Sequence, residues 1–264
     1  SEGAVTKDTI EAFGIDTKRF YVVPVSTVQE FRTCAVKILD GYIESGKDRP
    51  PMLFILDSLG MLSTTKEMED TAAGSETKDM TRNQIIKATF RVLTLKMAMA
   101  KVAMIATTHT YASMDMYSPK EVSGGSGLKF AASTIVMLNK RKEKDGKDII
   151  GNNIRAVAMK SRMTKEFSQI ETIINYQKGL DKYYGLLDIA EQLGIFKKDG
   201  TRYLVGDKKV FGSVIEKNPE QYFTKEVMDE IDRRACEIFC YGAGSAEEIS
   251  EGGQDQQDLD TEEA

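Results

Sequence analysis

The sequence predicts an α/β protein: a mostly parallel sheet with helices on both faces, then a small α+β domain and an acidic tail. Three observations carry this. Short β-branched or apolar runs alternate with helical patterns through the first two-thirds of the 264 residues. Near position 180 the texture changes to a helix, a hairpin signal and a second helix. After position 245 the chain turns acidic and holds little to bury.

Strands are expected at 20–25 (FYVVPV), 53–57 (LFILD), 102–107 (VAMIAT) and 134–138 (TIVML). Helical patterns at 28–43 and about 81–99 lie between them. Apolar strands crossed by helices of this length indicate a parallel sheet. Runs at 154–160 and 170–176, joined by a short polar link, are expected to extend the same sheet in antiparallel fashion. Two polar stretches, 63–79 and 110–126, read as long loops, which in a compact domain are functional or mobile. From 180 onward follow a helix, a hairpin around Asp199-Gly200 and a closing helix. The expected domains are therefore a core at 1–179, a small domain at 180–242 and a disordered acidic tail at 243–264.

Composition bounds the function. Hydrophobic residues make up 41% and charged residues 29%, an ordinary soluble balance. No apolar run approaches the ~20 residues of a membrane span and no signal-peptide pattern is present, so a cytoplasmic protein away from membranes is expected. Cys34, Cys236 and Cys240 make neither a disulfide framework nor a zinc site, which fits a reducing compartment. The net charge is -5, yet eight acids fall between 246 and 264, where there is no Lys or Arg, and the body without them stands at +3. That arrangement occurs in proteins that bind polyanions, and equally as a solubilising terminus.

GYIESGKD, residues 41–48, imitates a phosphate-binding loop. Such a loop needs a strand before it and a helix after it, so that amide N–H groups point at phosphate. Here a helical pattern precedes it, and Arg49-Pro50-Pro51 and a strand follow. Asp48 also stands where the magnesium-binding hydroxyl belongs. Gly46 is expected to be a left-handed helix stop instead.

Other residues carry more chemistry. LFILD ends in Asp57, at the strand edge where α/β sheets place ligands and where nucleotide hydrolases keep a magnesium-organising aspartate. Strand-ending aspartates are also common without such a role. VAMIATTHT ends in Thr107, Thr108 and His109, the single histidine of the chain. The stretch after it holds Tyr111, Met114, Met116, Tyr117 and Lys120 and closes on Gly124-Gly125-Ser126-Gly127. Aromatic and thioether side chains on a glycine-hinged loop suit stacking against bases; a plain insertion is the other reading.

The order LFILDSLG, DMTRNQ, TTHTY, SGGSGLKF, AMKSRMTKEF and YYGLLDIAEQLGIF resembles the RecA-family recombinases, especially the phage branch typified by UvsX. The resemblance runs from Ser1 to about Tyr241. It implies a RecA-like core that forms ATP-dependent filaments on single-stranded DNA and exchanges strands with double-stranded DNA, for recombination and repair. It also implies ATP and Mg2+ as cofactors and a DNA-dependent ATPase activity. The implied partners are DNA, further copies of the chain in a helical filament, and recombination-mediator and single-strand-binding proteins.

By the same resemblance Glu2 is the base orienting the attacking water and Asp57 organises magnesium. His109 links the γ-phosphate to a DNA loop, while Thr108 departs from the asparagine often found beside it. The stretches 63–79 and 110–126 become the two DNA loops, the first weakened by Glu67, Glu69, Asp70, Glu76 and Asp79. Arg91, Tyr111, Tyr117, Gly124, Gly125 and Lys129 fall at or near DNA-contacting positions. Lys160 and Arg162 resemble paired cations reaching a neighbour's γ-phosphate; two apart on a strand, they would share a face. The family's phosphate loop precedes the glutamate strand and has no counterpart here. The chain is thus expected to be the larger C-terminal portion of a recombinase, without turnover alone. A rival reading is a non-hydrolysing paralogue that binds DNA or filaments. A hexameric helicase or clock-type ATPase is a second, opposed by GGSGLKF and KSR beside the small C-terminal domain.

Overall fold

The computed structural model describes residues 6–46, 48–75, 79–111, 121–122, 125–206 and 208–242, and the chain divides into two compact units between residues 132 and 133. In the first unit, helix α1 (Lys7–Ala12) and a 3-10 turn (Thr17–Arg19) precede the long helix α2 (Val28–Glu44). Helix α2 begins where T-x-x-E permits a reciprocal cap. The Thr27 hydroxyl accepts from the Glu30 N–H at 3.1 Å, and the Glu30 carboxylate accepts from the Ser26 and Thr27 amides at 2.9 and 3.1 Å. Those amides, Ser26 foremost, hold the Glu30 carboxyl below its ordinary range. A cap of this kind contributes about 1 kcal/mol.

Val28, Phe31, Ala35 and Leu39 recur at helical spacing and are buried. They meet Ile86, Phe90 and Leu93 of a second long helix, and the Phe31 and Phe90 rings lie 6.4 Å apart. Between these helices come strand β1 (Leu53–Leu56) and helix α3 (Thr65–Ala72); the second long helix, α4, spans Arg82–Ala100 and strand β2 follows at Ala103–Ala106. Strands β1 and β2 pair in parallel, Leu53 opposite Ala103 and Leu56 opposite Ala106. Phe54, Leu56 and Met104 enter the core shared with both helices. Leu53, Ile55 and Ile105 on the other face are exposed. Strands β3 (Thr110–Tyr111) and β4 (Glu121–Val122) form an antiparallel ribbon, and helix α5 (Gly125–Ala131) packs against α4.

Two expectations for this unit need correction. Residues 20–25 join no ladder among the described residues, and Tyr21, Val22 and Val23 are exposed. β-branched content favours extended backbone, but a strand exists only once its amides and carbonyls find a neighbour. Pairing starts just afterwards: the Ser63 N–H donates to the Ser26 carbonyl at 3.0 Å and the Val28 N–H to the Ser63 carbonyl at 2.9 Å. Nor is 63–79 a loop throughout. Thr64 and Glu67 build a second capping box, and α3 occupies 65–72.

The second unit opens with an antiparallel sheet of strands β5 (Thr134–Asp145), β6 (Asp148–Ser161), β7 (Gln169–Asn175) and β8 (Gly179–Leu180), hydrogen-bonded in that order. The expected antiparallel pair at 154–160 and 170–176 is present as β6 and β7, but in a sheet separate from the β1–β2 pair rather than as its extension, because their hydrogen bonds go to β5 and β8. The run at 134–138 is not a further parallel strand but the start of β5, which pairs antiparallel with β6 along its length. The physical reason is a tight turn at Asp145-Gly146, where Gly146 takes φ +60°. Adjacent strands joined so closely can only be antiparallel.

Helix α6 (Leu186–Gln192) then leads into a small sheet of β9 (Lys197–Asp199), β10 (Arg202–Val205) and β11 (Lys208–Phe211). The Asp199-Gly200 hairpin is where the sequence predicts it, with Gly200 at φ +63°. Short helices α7 (Gly212–Lys217) and α8 (Pro219–Tyr222) precede the closing helix α9 (Lys225–Phe239). Leu187, Phe196, Tyr203, Ile215, Phe223 and Ile231 form a separate core that starts where the sequence texture changes. The acidic tail at 243–264 lies outside the described residues.

Candidate functional site

Residues 41–46 form the end of a helix. Gly41 lies inside α2, Ser45 closes the helix, and Gly46 at φ +94° is the left-handed stop that the sequence predicts. Arg49 explains the turn. Its guanidinium donates to the Gly46 carbonyl at 2.8 Å, to Ile43 at 3.3 Å and to Ala100, the last residue of α4, at 3.1 Å. It also lies 4.3 Å from the Tyr42 ring centroid. One cation thus closes the carboxyl ends of two helices, where unpaired carbonyls and the helix dipole favour positive charge.

The candidate chemistry lies at the carboxyl edge of the β1–β2 pair. The parallel register brings the residues after both strands together. The Thr107 hydroxyl donates to Asp57 Oδ1 at 2.7 Å. The Thr107 backbone adds an N–H to the Leu56 carbonyl at 3.0 Å and a carbonyl accepting from Leu59 at 2.9 Å. A Cβ on Gly60 would come 3.2 Å from His109 Cδ2 and 3.6 Å from the Thr108 hydroxyl, so the turn after Asp57 runs directly against the end of β2. Asp57 and His109, named separately from sequence, therefore share one edge.

That turn is braced from α4. The Arg82 guanidinium donates to the carbonyls of Leu59, Gly60 and Leu62 at 3.4, 3.2 and 3.0 Å. Beside it, buried Asp79 accepts from the Thr81 hydroxyl at 2.6 Å, the Thr81 N–H at 2.9 Å and the Thr64 hydroxyl at 2.7 Å. These bonds, the Thr81 hydroxyl first, lower its pKa to about 2. Asp79 and the capping Glu67 therefore serve the fold.

A carboxylate such as Asp57 is the hard oxygen donor that magnesium accepts. Among the described residues no group of three or more His, Cys, Asp or Glu gathers around one point. The edge thus suits a magnesium ion held by one carboxylate together with water and nucleotide phosphates, not an all-protein cage.

The DNA candidates are distributed as follows. Tyr111 lies in β3, paired opposite Glu121. Gly125 is the first residue of α5 and not part of an open loop. Helix α5 crosses α4 so closely that a Cβ on Gly127 would sit 2.7 Å from the Lys87 Cβ. Arg91 of α4 and Lys129 of α5 are both exposed on this helix pair. In the second unit Lys160 is in β6 opposite Ile135, next to a register shift between Ile135 and Val136. Arg162 falls beyond the end of β6, although its N–H still donates to the Ser133 carbonyl at 3.1 Å. The register shift falls at Met159, before Lys160, and Ser161 between the two cations still pairs opposite Thr134. Glu2, Tyr117 and Gly124 lie outside the described residues.

Comparison with known proteins adds an independent finding. The model of the RecA N-terminal domain matches residues 1–181. The chain belongs to the RecA family. A recombination and repair protein of Enterobacteria phage T4 is 34% identical over 198 residues, covering 75% of this chain and 50% of that protein. The RecA protein of a Nocardioides species is 28% identical over 206 residues, covering 77% of this chain and 56% of that protein. The chain thus spans about half the length of these two relatives. A solved RadB recombinase aligns at a TM-score of 0.45 and 16% identity over 68% of this chain and 74% of that one. The RecA family, and the phage branch within it, are as the motifs in sequence indicate.

Sequence reasoning missed Arg49, Arg82 and the Asp79 cluster. Only the Asp79 cluster carried a local signal: Thr64-x-x-Glu67 is a capping-box pattern, and Asp79-x-Thr81 is a local carboxylate-to-hydroxyl turn.

Proposed function

We propose that this chain provides the magnesium-organising edge and the DNA-facing elements of a RecA-family recombinase that filaments on single-stranded DNA with ATP and exchanges strands. The observation that carries this is the juxtaposition of Asp57, fixed by Thr107, with His109 at the foot of the β3–β4 ribbon. In this reading Asp57 would help hold magnesium, and Mg-ATP when bound would supply the phosphoryl group. His109 stands between that edge and the ribbon, placed to couple phosphate to the DNA-facing loop. Glu2 acts as the base for the attacking water. Lys160 and Arg162 serve a neighbouring copy's site, which makes the filament the active form. Arg91 and Lys129 neutralise DNA phosphates, and Tyr111, Tyr117 and the Gly124-Gly125 segment contact the strand. Double-stranded DNA, recombination mediators and single-strand-binding proteins are the further partners, in the cytoplasm. No described helix is long and apolar enough to cross a membrane.

The test is single-stranded DNA binding by the purified chain, followed by fluorescence anisotropy across a salt series. Lys129→Ala and Arg91→Ala should each weaken binding at low salt and flatten the logarithmic salt slope by about 0.7, the value for one phosphate contact on a single strand. Absence of salt-dependent binding, or an unchanged slope in both variants, would overturn the DNA-facing assignment.

A further inference from the structure

We propose that Cys236 and Cys240 are a redox-modification site, a dithiol that a hydroperoxide converts to a disulfide locking the end of α9 onto the turn after β6. The inference stands apart from the recombinase reading.

Two side chains four apart in a regular helix have Cβ atoms about 5–6 Å apart, too far for a disulfide, which needs about 3.5–4.5 Å. Here the geometry differs. Cys236 lies in the last turn of α9, while Cys240 leaves the helix with φ −80° and ψ 142°. That departure brings the two sulfurs to 3.2 Å. A bonded pair sits at about 2.05 Å, so closure needs a movement of about 1 Å.

The backbone around Cys240 is already stitched to a neighbour. Cys240 bridges antiparallel to Thr164; the Lys165 N–H donates to the Phe239 carbonyl at 2.9 Å and the Tyr241 N–H to the Met163 carbonyl at 3.0 Å. Ser161, at the end of β6, fixes the same turn: its hydroxyl oxygen accepts from the Thr164 N–H at 3.0 Å and the Met163 N–H at 3.2 Å. A bond between Cys236 and Cys240 therefore ties the helix body to residues 163–165 through a single extended residue.

The two thiols have unequal roles. Cys236 is exposed and Cys240 half-buried, so a small oxidant reaches Cys236 first. Hydrogen bonding with Cys236, and then burial, hold the Cys240 thiol above its ordinary pKa, so it stays protonated while Cys236 reacts first. The Cys236 thiolate attacks a peroxide oxygen; the O–O bond breaks and the leaving hydroxide departs as water after protonation. The Cys240 sulfur then attacks the Cys236 sulfenic acid. The S–O bond breaks, the S–S bond forms, and a second water carries away the Cys240 proton. Two thiols lose two electrons and one hydrogen peroxide becomes two waters. A thioredoxin-like dithiol reverses the change by exchange.

The experiment treats the purified chain, with Cys34→Ser to remove the third thiol, with stoichiometric hydrogen peroxide. The intact mass should fall by two hydrogens, peptide mapping should link 236 to 240, and a dithiol should restore both. Cys240→Ser should instead trap a sulfenic acid on Cys236, read by dimedone labelling. On oxidation the Lys165 and Tyr241 amides should exchange with solvent about tenfold more slowly. Sulfinic acid or intermolecular dimers in place of the 236–240 link would overturn the site. A link without slower exchange at Lys165 and Tyr241 would overturn the lock.

Discussion

Replacing Arg49 tests whether residues 41–49 end two helices or bind an anion. Arg49→Ala removes the bonds to Gly46 and Ala100, at 2.8 and 3.1 Å, a longer one to Ile43, and the stacking on Tyr42. The two shorter bonds contribute about 1 kcal/mol each, net of lost hydration. Stacking adds about 0.5–1 kcal/mol at a half-exposed site. The sum is a loss of about 2–3 kcal/mol, which accelerates exchange of amides that open with this region by roughly 30–150-fold. The assay is native-state hydrogen exchange in the last turns of α2 and α4, with amides of β6 and α6 as the unchanged reference. Arg49→Lys should recover less than half the loss, because a point-like ammonium cannot bridge two helix ends and stack at once. A change under about threefold, or full rescue by lysine, would refute the reasoning and reopen 41–48 as an anion site.

Acid should weaken the brace beside Asp57. The Asp79 carboxyl sits at about 2 in the fold against an ordinary 3.8, so its contribution is complete above about pH 4 and is lost as pH falls through 2. Asp79→Asn should lower stability at neutral pH and converge with the parent near pH 2, followed by circular dichroism; parallel curves would reject the assignment. Gly127→Ala should cost about 1–3 kcal/mol by forcing α5 off Lys87, read as a lower urea midpoint; an unchanged midpoint would mean the helices separate freely. Deleting residues 246–264 removes eight acids that compete with DNA for a +3 body. Single-strand binding should tighten at low salt and change little at high salt, and equal affinity at low salt would rule out that competition.

How much was legible depended on whether a residue's structure is local. Helix α2 announced itself by apolar spacing, the Asp199-Gly200 turn by its dipeptide, and Gly46 by a helix pattern stopping before it. Each needs only its own neighbours. Residues 20–25 had the same kind of signal as β1, yet pairing depends on a partner that no local pattern names. For β5 and β6 the Asp145-Gly146 hairpin signal is local, but it lies seven residues beyond the apolar run at 134–138. At the site, Asp57 and His109 were legible as strand-end residues. Their place on one shared edge was not, because it depends on the register of β1 against β2 and on the turn at Gly60 running beside His109. Arg49 and Arg82 were invisible for a related reason. Arg49 reaches the Ala100 carbonyl 51 residues away and Arg82 reaches carbonyls about 20 residues away, and carbonyls belong to every residue. A long-range bond to backbone leaves no trace in the identity of its acceptor, so only the fold reveals which arginines hold the edge where Asp57 stands.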